Sequence, residues 1–299
     1  MESFDPKNKL LLVLNPVSGK GQGKYILFDL VNELSRYGYL VTVMLTDPEG
    51  NTERQIIEKA KDYDKIVALG GDGTLNMVAG AIIKSGSDVP LGYIPLGSAN
   101  DFGSSLGLTN DVEDACHIIA THDPKAIDVG FCNGRYFVYI VSAGMFTSTS
   151  YTTSQQLKNV LGHNAYVIKG ISELKDIKRT KYSLEIDGET ISEDLIFISV
   201  SNTLHIGGML HLEHDNVQFD DGLFEIILVK YPHSIIDGTA LTNDLINSNL
   251  STERFVRRQA KELKIRTAEP QRWTLDGENG GLHSEIDIKI CPKAIKMIY

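Results

Sequence analysis

Two kinds of apolar pattern alternate along the first part of the chain. Lys9 to Leu14, Lys65 to Leu69 and Leu91 to Ile94 are short unbroken apolar runs that predict strands buried on both faces. Tyr39, Val41, Val43 and Leu45 alternate with polar positions and predict another strand. Between these runs apolar residues recur at helical spacing: Leu27, Leu30, Val31 and Leu34; a segment from Thr52 to Lys61; Leu75, Val78, Ala79, Ile82 and Ile83; and Val112 to Ala120. A further strand is expected near Ala126 to Val129. Strands alternating with helices predict a mostly parallel sheet with helices on both faces.

Past about residue 130 the pattern changes. Arg135 to Val141, Tyr182 to Ile186, Leu195 to Val200, Phe224 to Val229, Leu263 to Arg266, Arg272 to Leu275 and Ile286 to Ile290 are short strand-like runs. Asp187-Gly188 is a two-residue hairpin signal. Two helices are expected, from Ser154 to Asp176 and near Ile235 to Ile246. This predicts a mainly antiparallel β-domain, joined near residue 128 without a Pro/Gly/Ser linker.

A chain of 299 residues has room for two such domains. Its net charge of −10 argues against a general nucleic-acid binder and against strong attachment of the whole protein to an anionic membrane. No apolar run reaches the ~18 residues of a membrane span, and the polar stretch Met1 to Asn8 is no signal peptide. Cys116, Cys132 and Cys291 form no CxxC pair and are expected as reduced core residues of a cytoplasmic protein. His163, His205, His211, His214 and His233 lack metal-ligand spacing. The basic run Arg254, Arg257, Arg258, Lys261, Lys264 and Arg266 reads as a solvated face, with contact to anionic lipid head groups as the functional alternative.

The candidate chemistry lies in the turns after the first strands. Gly70-Gly71-Asp72-Gly73-Thr74-Leu75-Asn76 joins a buried strand to a helix. Glycines there let backbone approach a ligand, and helix-start N–H groups face anions. A carboxylate at such a place, Asp72, fits a phosphate site if a cation such as Mg²⁺ lies between the two. Asn15-Pro16-Val17-Ser18-Gly19-Lys20 is a second polar, glycine-bearing turn that is neither a Walker A nor a dinucleotide sequence. Turns beginning at Thr46 and at Pro95 follow strands too, so all four are expected at the carboxyl edge of the sheet, where such folds bind ligands.

Taken together, Asn15-Pro16-x-Ser18-Gly19-Lys20, the Gly70–Asn76 turn, Pro95-Leu96-Gly97-Ser98-x-Asn100-Asp101-Phe102, Ile127-Asp128-Val129-Gly130, Tyr166-x-Ile168-Lys169-Gly170, Asp220-Asp221-Gly222 and Leu275-Asp276-Gly277-Glu278 resemble, in order, the bacterial diacylglycerol kinase family. These are soluble lipid kinases related to eukaryotic diacylglycerol and sphingosine kinases. The resemblance covers most of the chain. It implies an α/β nucleotide-binding domain like that of phosphofructokinase over residues 1–128, a larger antiparallel β lipid-substrate domain over 129–290, and a final strand, about 291–299, returning to the first domain.

It further implies an ATP- and Mg²⁺-dependent kinase acting on a lipid hydroxyl, most directly diacylglycerol to phosphatidic acid. ATP contacts are implied at Asn15, Pro16, Ser18, Gly19, Lys20, Thr46, Gly70, Gly71, Asp72, Gly73, Thr74, Leu75, Asn76 and Ser98. Lys20, Asp128 and Lys169 match a charged network near the interdomain cleft, linked to Asp72 and Mg²⁺ through waters. Gln218, Asp221 and Leu223 match a structural Mg²⁺ site in which Asp221 alone brings a carboxylate. Glu278 matches the general base and Asp276 a supporting hydrogen-bond or metal-network group; an exposed Asp-Gly hairpin turn is the plainer reading of the same residues. Met77 stands where the family often has Glu, and Ser98 where Thr is usual. An NAD kinase, which also carries GGDGT, and a non-catalytic nucleotide- or lipid-binding member are the alternatives. The expected partners are a lipid substrate met by peripheral contact at the inner face of the membrane and, as an open option, a second copy of the chain; no nucleic acid is expected.

Overall fold

The computed structural model describes residues 8–47, 49–97, 100–145, 179–203, 205–206, 210–211, 217–247 and 249–299. The expected helix from Ser154 to Asp176, with Tyr166 and Lys169, lies outside them, as do Ser98, His163 and His214. The chain forms two compact units, Met1–Val129 with Cys291–Tyr299, and Gly130–Ile290.

In the first unit the strands are β1 (Lys9–Leu14), β2 (Leu40–Leu45), β3 (Lys65–Gly70) and β4 (Leu91–Pro95), and the helices α1 (Gly23–Arg36), α2 (Asn51–Lys59), α3 (Asp72–Ser85), α4 (Asp101–Ser105) and α5 (Val112–Thr121). β1 pairs in parallel with β2 and β3, and β3 with β4. Alternate strand residues point to opposite faces. Leu10, Leu12 and Leu14 therefore pack with Leu30 and Leu34 of α1 and with Ala115, Cys116 and Ile119 of α5. Leu11 and Val13 point the other way and are fully buried, as are Leu75 and Val78 of α3. β2 has a single strand neighbour among the described residues, and its Leu40, Val43 and Leu45 are exposed.

Strand β5 (Pro124–Cys132) leads into the second unit, with β6 (Arg135–Phe137), β7 (Ile140–Gly144), β8 (Thr180–Ile186), β9 (Glu189–Ser201), the two-residue strands β10 (His205–Ile206) and β11 (Leu210–His211), β12 (Phe224–Lys230), helix α6 (Ile235–Ile246), β13 (Phe255–Ala260), β14 (Glu262–Leu275) and β15 (Glu278–Ile298). Among the described residues these strands pair with one another antiparallel, and only the end of β15, at Met297, turns to a parallel partner, Leu91 of β4. Two long strands change partners midway: β9 pairs first with β8 and then with β7, and so does β14. The core gathers Phe137, Tyr182, Phe224 and Trp273 with a shell of Ile, Leu and Val. Three turns, Asn133-Gly134, Asp187-Gly188 and Asp276-Gly277, have both central residues at positive φ. That backbone matches the twist of a two-residue hairpin and selects Asn/Asp followed by Gly.

Several expectations are corrected. The run Arg135 to Val141 is two strands, because the N–H groups of Val138, Tyr139 and Ile140 turn to the Asp276 carboxylate. Leu263 to Arg266 and Arg272 to Leu275 belong to one strand, β14, whose register shifts where Pro270 lacks an N–H to donate. The basic run is not one solvated face. It contains all of β13, and within it Arg254 pairs with Asp237 and Asp244, Lys264 with Glu185 and Arg266 with Glu285. Cys116 and Cys132 are buried, and burial pushes both thiols up to about 12; Cys291 is only half-buried.

Candidate active site

Three glycine-bearing turns of the first unit touch one another at the carboxyl ends of β1, β3 and β4. The Asn15 N–H donates to the Leu69 carbonyl (3.0 Å) and the Leu96 N–H to the Gly70 carbonyl (2.7 Å). Asn15 Nδ2 donates to Thr74 Oγ1 (3.2 Å), which ties the first turn to the second. Room is made by missing side chains. A Cβ on Gly97 would lie 2.7 Å from the Gly71 Cα, and one on Gly19, at φ +58°, would lie 2.5 Å from the Leu96 carbonyl oxygen. Thr46 follows β2 on the same edge, its N–H on the Leu14 carbonyl (2.8 Å). Pro16 and Ser18 belong to the first turn, which passes through a short 3₁₀ turn, Ser18–Gly21, before α1.

Asp72 is the first residue of α3, which starts after Gly71 without a side-chain cap. It is buried, and Tyr93 Oη lies 3.5 Å from its Oδ1 and 3.4 Å from Asn100 Oδ1. Burial, then the charge of Asp72, push the Tyr93 hydroxyl up, so it stays protonated and donates. Asn100, at φ +53°, locks the third turn: its Oδ1 accepts the Gly97 N–H (2.7 Å) and its Nδ2 donates to the Gly97 carbonyl (2.8 Å). Asp101, first residue of α4, is a second buried carboxylate near Tyr93. Asn100 and Asp101 stood in the sequence motif without a role, and nothing in the sequence marked Tyr93. Gly73, Leu75 and Asn76 sit in the first turns of α3; Leu75 is buried, and Asn76 Oδ1 is buried without a hydrogen-bond partner among the described residues. Asp128 is fully buried and its Oδ1 accepts the Lys293 N–H (2.7 Å). Lys20 lies in the first turn.

In the second unit, Asp276 and Glu278 part company. Leu275 and Glu278 are paired across the Asp276-Gly277 turn. Asp276 is 2% exposed, so it is no surface turn residue. Its Oδ2 accepts the Val138 N–H (2.6 Å), and its Oδ1 accepts those of Tyr139 (3.0 Å) and Ile140 (2.9 Å). Burial raises its pKa to about 6 against the pull of those three donors. Glu278 is exposed. Asp221 is exposed, its Oδ1 accepting the Leu223 N–H (2.9 Å), and Gln218 is exposed too. One carboxylate with backbone carbonyls is an all-oxygen donor set of the kind that suits Mg²⁺ or Ca²⁺. Asp72 offers the same hard donor chemistry beside an uncapped helix start.

The diacylglycerol kinase catalytic domain family matches residues 9–132, and the YegS C-terminal NAD kinase beta sandwich-like domain family matches residues 139–299. The chain belongs to the diacylglycerol kinase-like lipid kinases. It is 32% identical over 292 residues to a diacylglycerol kinase of Staphylococcus haemolyticus, covering 95% of this chain and 88% of that one. It is 31% identical over 277 residues to a diacylglycerol kinase of Staphylococcus aureus, covering 92% and 87%. A crystal structure of a putative diacylglycerol kinase from Bacillus anthracis superimposes with a TM-score of 0.78 at 26% identity, over 98% of this chain and 97% of that one.

Proposed function

We propose that this lipid kinase uses ATP with Mg²⁺ and transfers the γ-phosphate to a lipid hydroxyl, with diacylglycerol, the acceptor in its relatives' names, as the first candidate. The observation that carries the reading is the mutual contact of the three glycine-bearing turns around buried Asp72 and the start of α3. Backbone N–H groups and a helix start favour phosphate oxygens. Asp72 would hold the divalent ion, whose contribution when bound is to neutralise charge on the transferred group. In this reading the nucleotide residues are Asn15 to Lys20, Thr46, Gly70 to Asn76 and Ser98, and Lys20, Asp128 and Lys169 form a supporting charged network. Gln218, Asp221 and Leu223 would hold a structural ion.

The second unit would supply the acceptor side. Glu278, exposed and unengaged by the anchoring bonds that hold Asp276, would accept the proton of the lipid hydroxyl as its oxygen bonds to the γ-phosphorus and the bond from that phosphorus to the bridging oxygen breaks, ADP leaving with the electron pair. Among the described residues no helix is long and apolar enough to cross a membrane.

Labelled ATP, Mg²⁺ and either diacylglycerol in mixed micelles or NAD test this reading, with Asp72→Asn as the control. Label is expected in phosphatidic acid and to fall by orders of magnitude in the variant. Label in NADP, or in neither product, would reject it.

A further inference from the structure

The segment Lys230-Tyr231-Pro232-His233-Ser234-Ile235-Ile236-Asp237 leads out of β12 into α6. Its local geometry is a reciprocal cap. Ser234 Oγ accepts the Asp237 N–H (3.0 Å), and Asp237 Oδ2 accepts the His233 N–H (3.1 Å). The cap is clamped from outside. Arg254 donates to Asp237 Oδ1 (2.8 Å) and to Asp244 Oδ2 (2.9 Å), and its carbonyl accepts the Lys230 N–H (2.9 Å). The first helical turn is therefore held in place.

What this turn presents is Ile235 and Ile236, 77% and 83% exposed. In the unit Gly130–Ile290 the one other large apolar side chain of comparable exposure among the described residues is Leu282. Isoleucine is no better than average in a helix, and these two do not contribute to the core, so their placement calls for a partner.

We propose that this turn is a membrane-docking point at which Ile235 and Ile236 enter the head-group region of an anionic bilayer. Area argues for lipid over protein. Two isoleucines cannot approach the ~800 Å² per partner of a stable protein interface, yet each apolar side chain adds its own increment to binding at a membrane surface. Charge argues the same way. The carboxylates at the base of the turn are engaged, Asp237 and Asp244 by Arg254 and Asp194 by Arg179. Lys181 lies opposite Asp194 in the β8–β9 register, Lys230 lies opposite Leu195, and exposed His233 is close to Asp194. Lys230, at the start of this segment, and Lys181, opposite Asp194 on β8, thus supply lysines on the strands from which the turn emerges, the charge that anionic head groups attract. A held turn also loses little freedom on docking. The inference rests on the lipid-kinase reading for its purpose and on the exposed turn for its evidence.

The test is co-sedimentation of the full chain with phosphatidylcholine vesicles, with and without phosphatidylglycerol, for wild type and for Ile235→Ser with Ile236→Ser. Wild type is expected to bind the anionic vesicles, and the variant to bind them at least ~tenfold less. Melting should be unchanged. Turnover of diacylglycerol embedded in vesicles should fall in step with binding, while turnover of a short-chain diacylglycerol dispersed as monomers should stay at the wild-type level. Unchanged vesicle binding in the variant, or no vesicle binding by wild type, overturns the proposal. So does an equal loss of turnover on the dispersed substrate, which would mean damage to the enzyme itself. If wild type phosphorylates neither lipid, the kinase reading fails, and the sedimentation result still decides whether the turn docks.

Discussion

Gly97→Ala puts a methyl group where two turns already touch. Its Cβ would lie 2.6 Å from Asn100 Oδ1 and 2.7 Å from the Gly71 Cα. Carbon contacts are comfortable at roughly 3.5–4.0 Å, so relief requires the turns to separate by about 1 Å. The Asn100 carboxamide cannot simply swing away, since both of its ends are bonded to the Gly97 backbone. Gly71→Ala is the matched control. Its Cβ would sit 3.2 Å from the Gly97 Cα, at φ −93° and ψ −176°, which suits any residue. A few tenths of an ångström would accommodate it. Forced overpacking costs about 1–3 kcal/mol of stability, whereas misplacing reacting groups by about 1 Å can cost on the order of 10²-fold in rate. Gly97→Ala should therefore stay folded with lowered melting and lose about 100-fold in turnover at saturating ATP, with Gly71→Ala within several-fold of wild type. Initial rates of lipid phosphorylation, with circular-dichroism melting run alongside, measure both. Wild-type turnover by Gly97→Ala would show that contact between the turns does not position the nucleotide.

Asp276→Ala strands three buried N–H groups at ~1–3 kcal/mol each, partly offset by removing a buried charge, so a net loss of a few kcal/mol is expected in urea unfolding. Glu278→Gln should keep wild-type stability and lose about 10²–10⁴ in turnover; the reverse pattern would exchange their roles. Glu225 is 5% exposed, and burial raises its pKa from 4.5 to about 7. The folded state then binds the extra proton, so this group's contribution to stability is complete below pH 4.5 and is lost as pH rises through 7. Glu225→Gln should remove that dependence and stabilise the protein at pH 8 by on the order of 3 kcal/mol, read as the difference between variant and wild-type urea midpoints at pH 5 and pH 8; equal differences at the two pH values would contradict it. Strand β2 carries no charge, and Val17, Tyr25 and Phe28 nearby in sequence are also exposed. Two copies are expected to pair along it, with Val43→Lys giving monomers in light scattering; a monomeric wild type would refute the pairing.

The parts of the fold that were legible in the sequence were those governed by local rules. Leu11 and Val13, Ile66 and Ala68 are buried on a sheet covered on both faces, and such strands read as unbroken apolar runs. Asp187-Gly188 announced its hairpin because few dipeptides tolerate two positive φ angles. What stayed hidden depended on partners far along the chain. The break between β6 and β7 is made by Asp276, more than 130 positions away in sequence. β13 was masked by its arginines, because an edge strand can carry charge on exposed positions and still pair its backbone. In the candidate site the glycine turns were visible as motifs. The hydroxyl of Tyr93 was not, since a tyrosine within a buried strand has no local signature.

The course of β15 has a consequence for how the protein is made. Met297 pairs with Leu91 of β4, and Ile295, Met297 and Ile298 are buried in the first unit. A ribosome completes residues 1–129 long before it reaches residue 291, with all of Gly130–Ile290 still to translate. At about 5–20 residues per second that is a wait of roughly 10–30 s. Throughout it β4, buried at every position in the finished protein, has an open edge towards the strand not yet made. Nascent chains stalled before residue 291 should therefore remain protease-sensitive in their first 129 residues, and a permuted gene that begins with residues 291–299 should relieve that sensitivity. The order of translation thus makes the first unit the first to be synthesised and among the last to close.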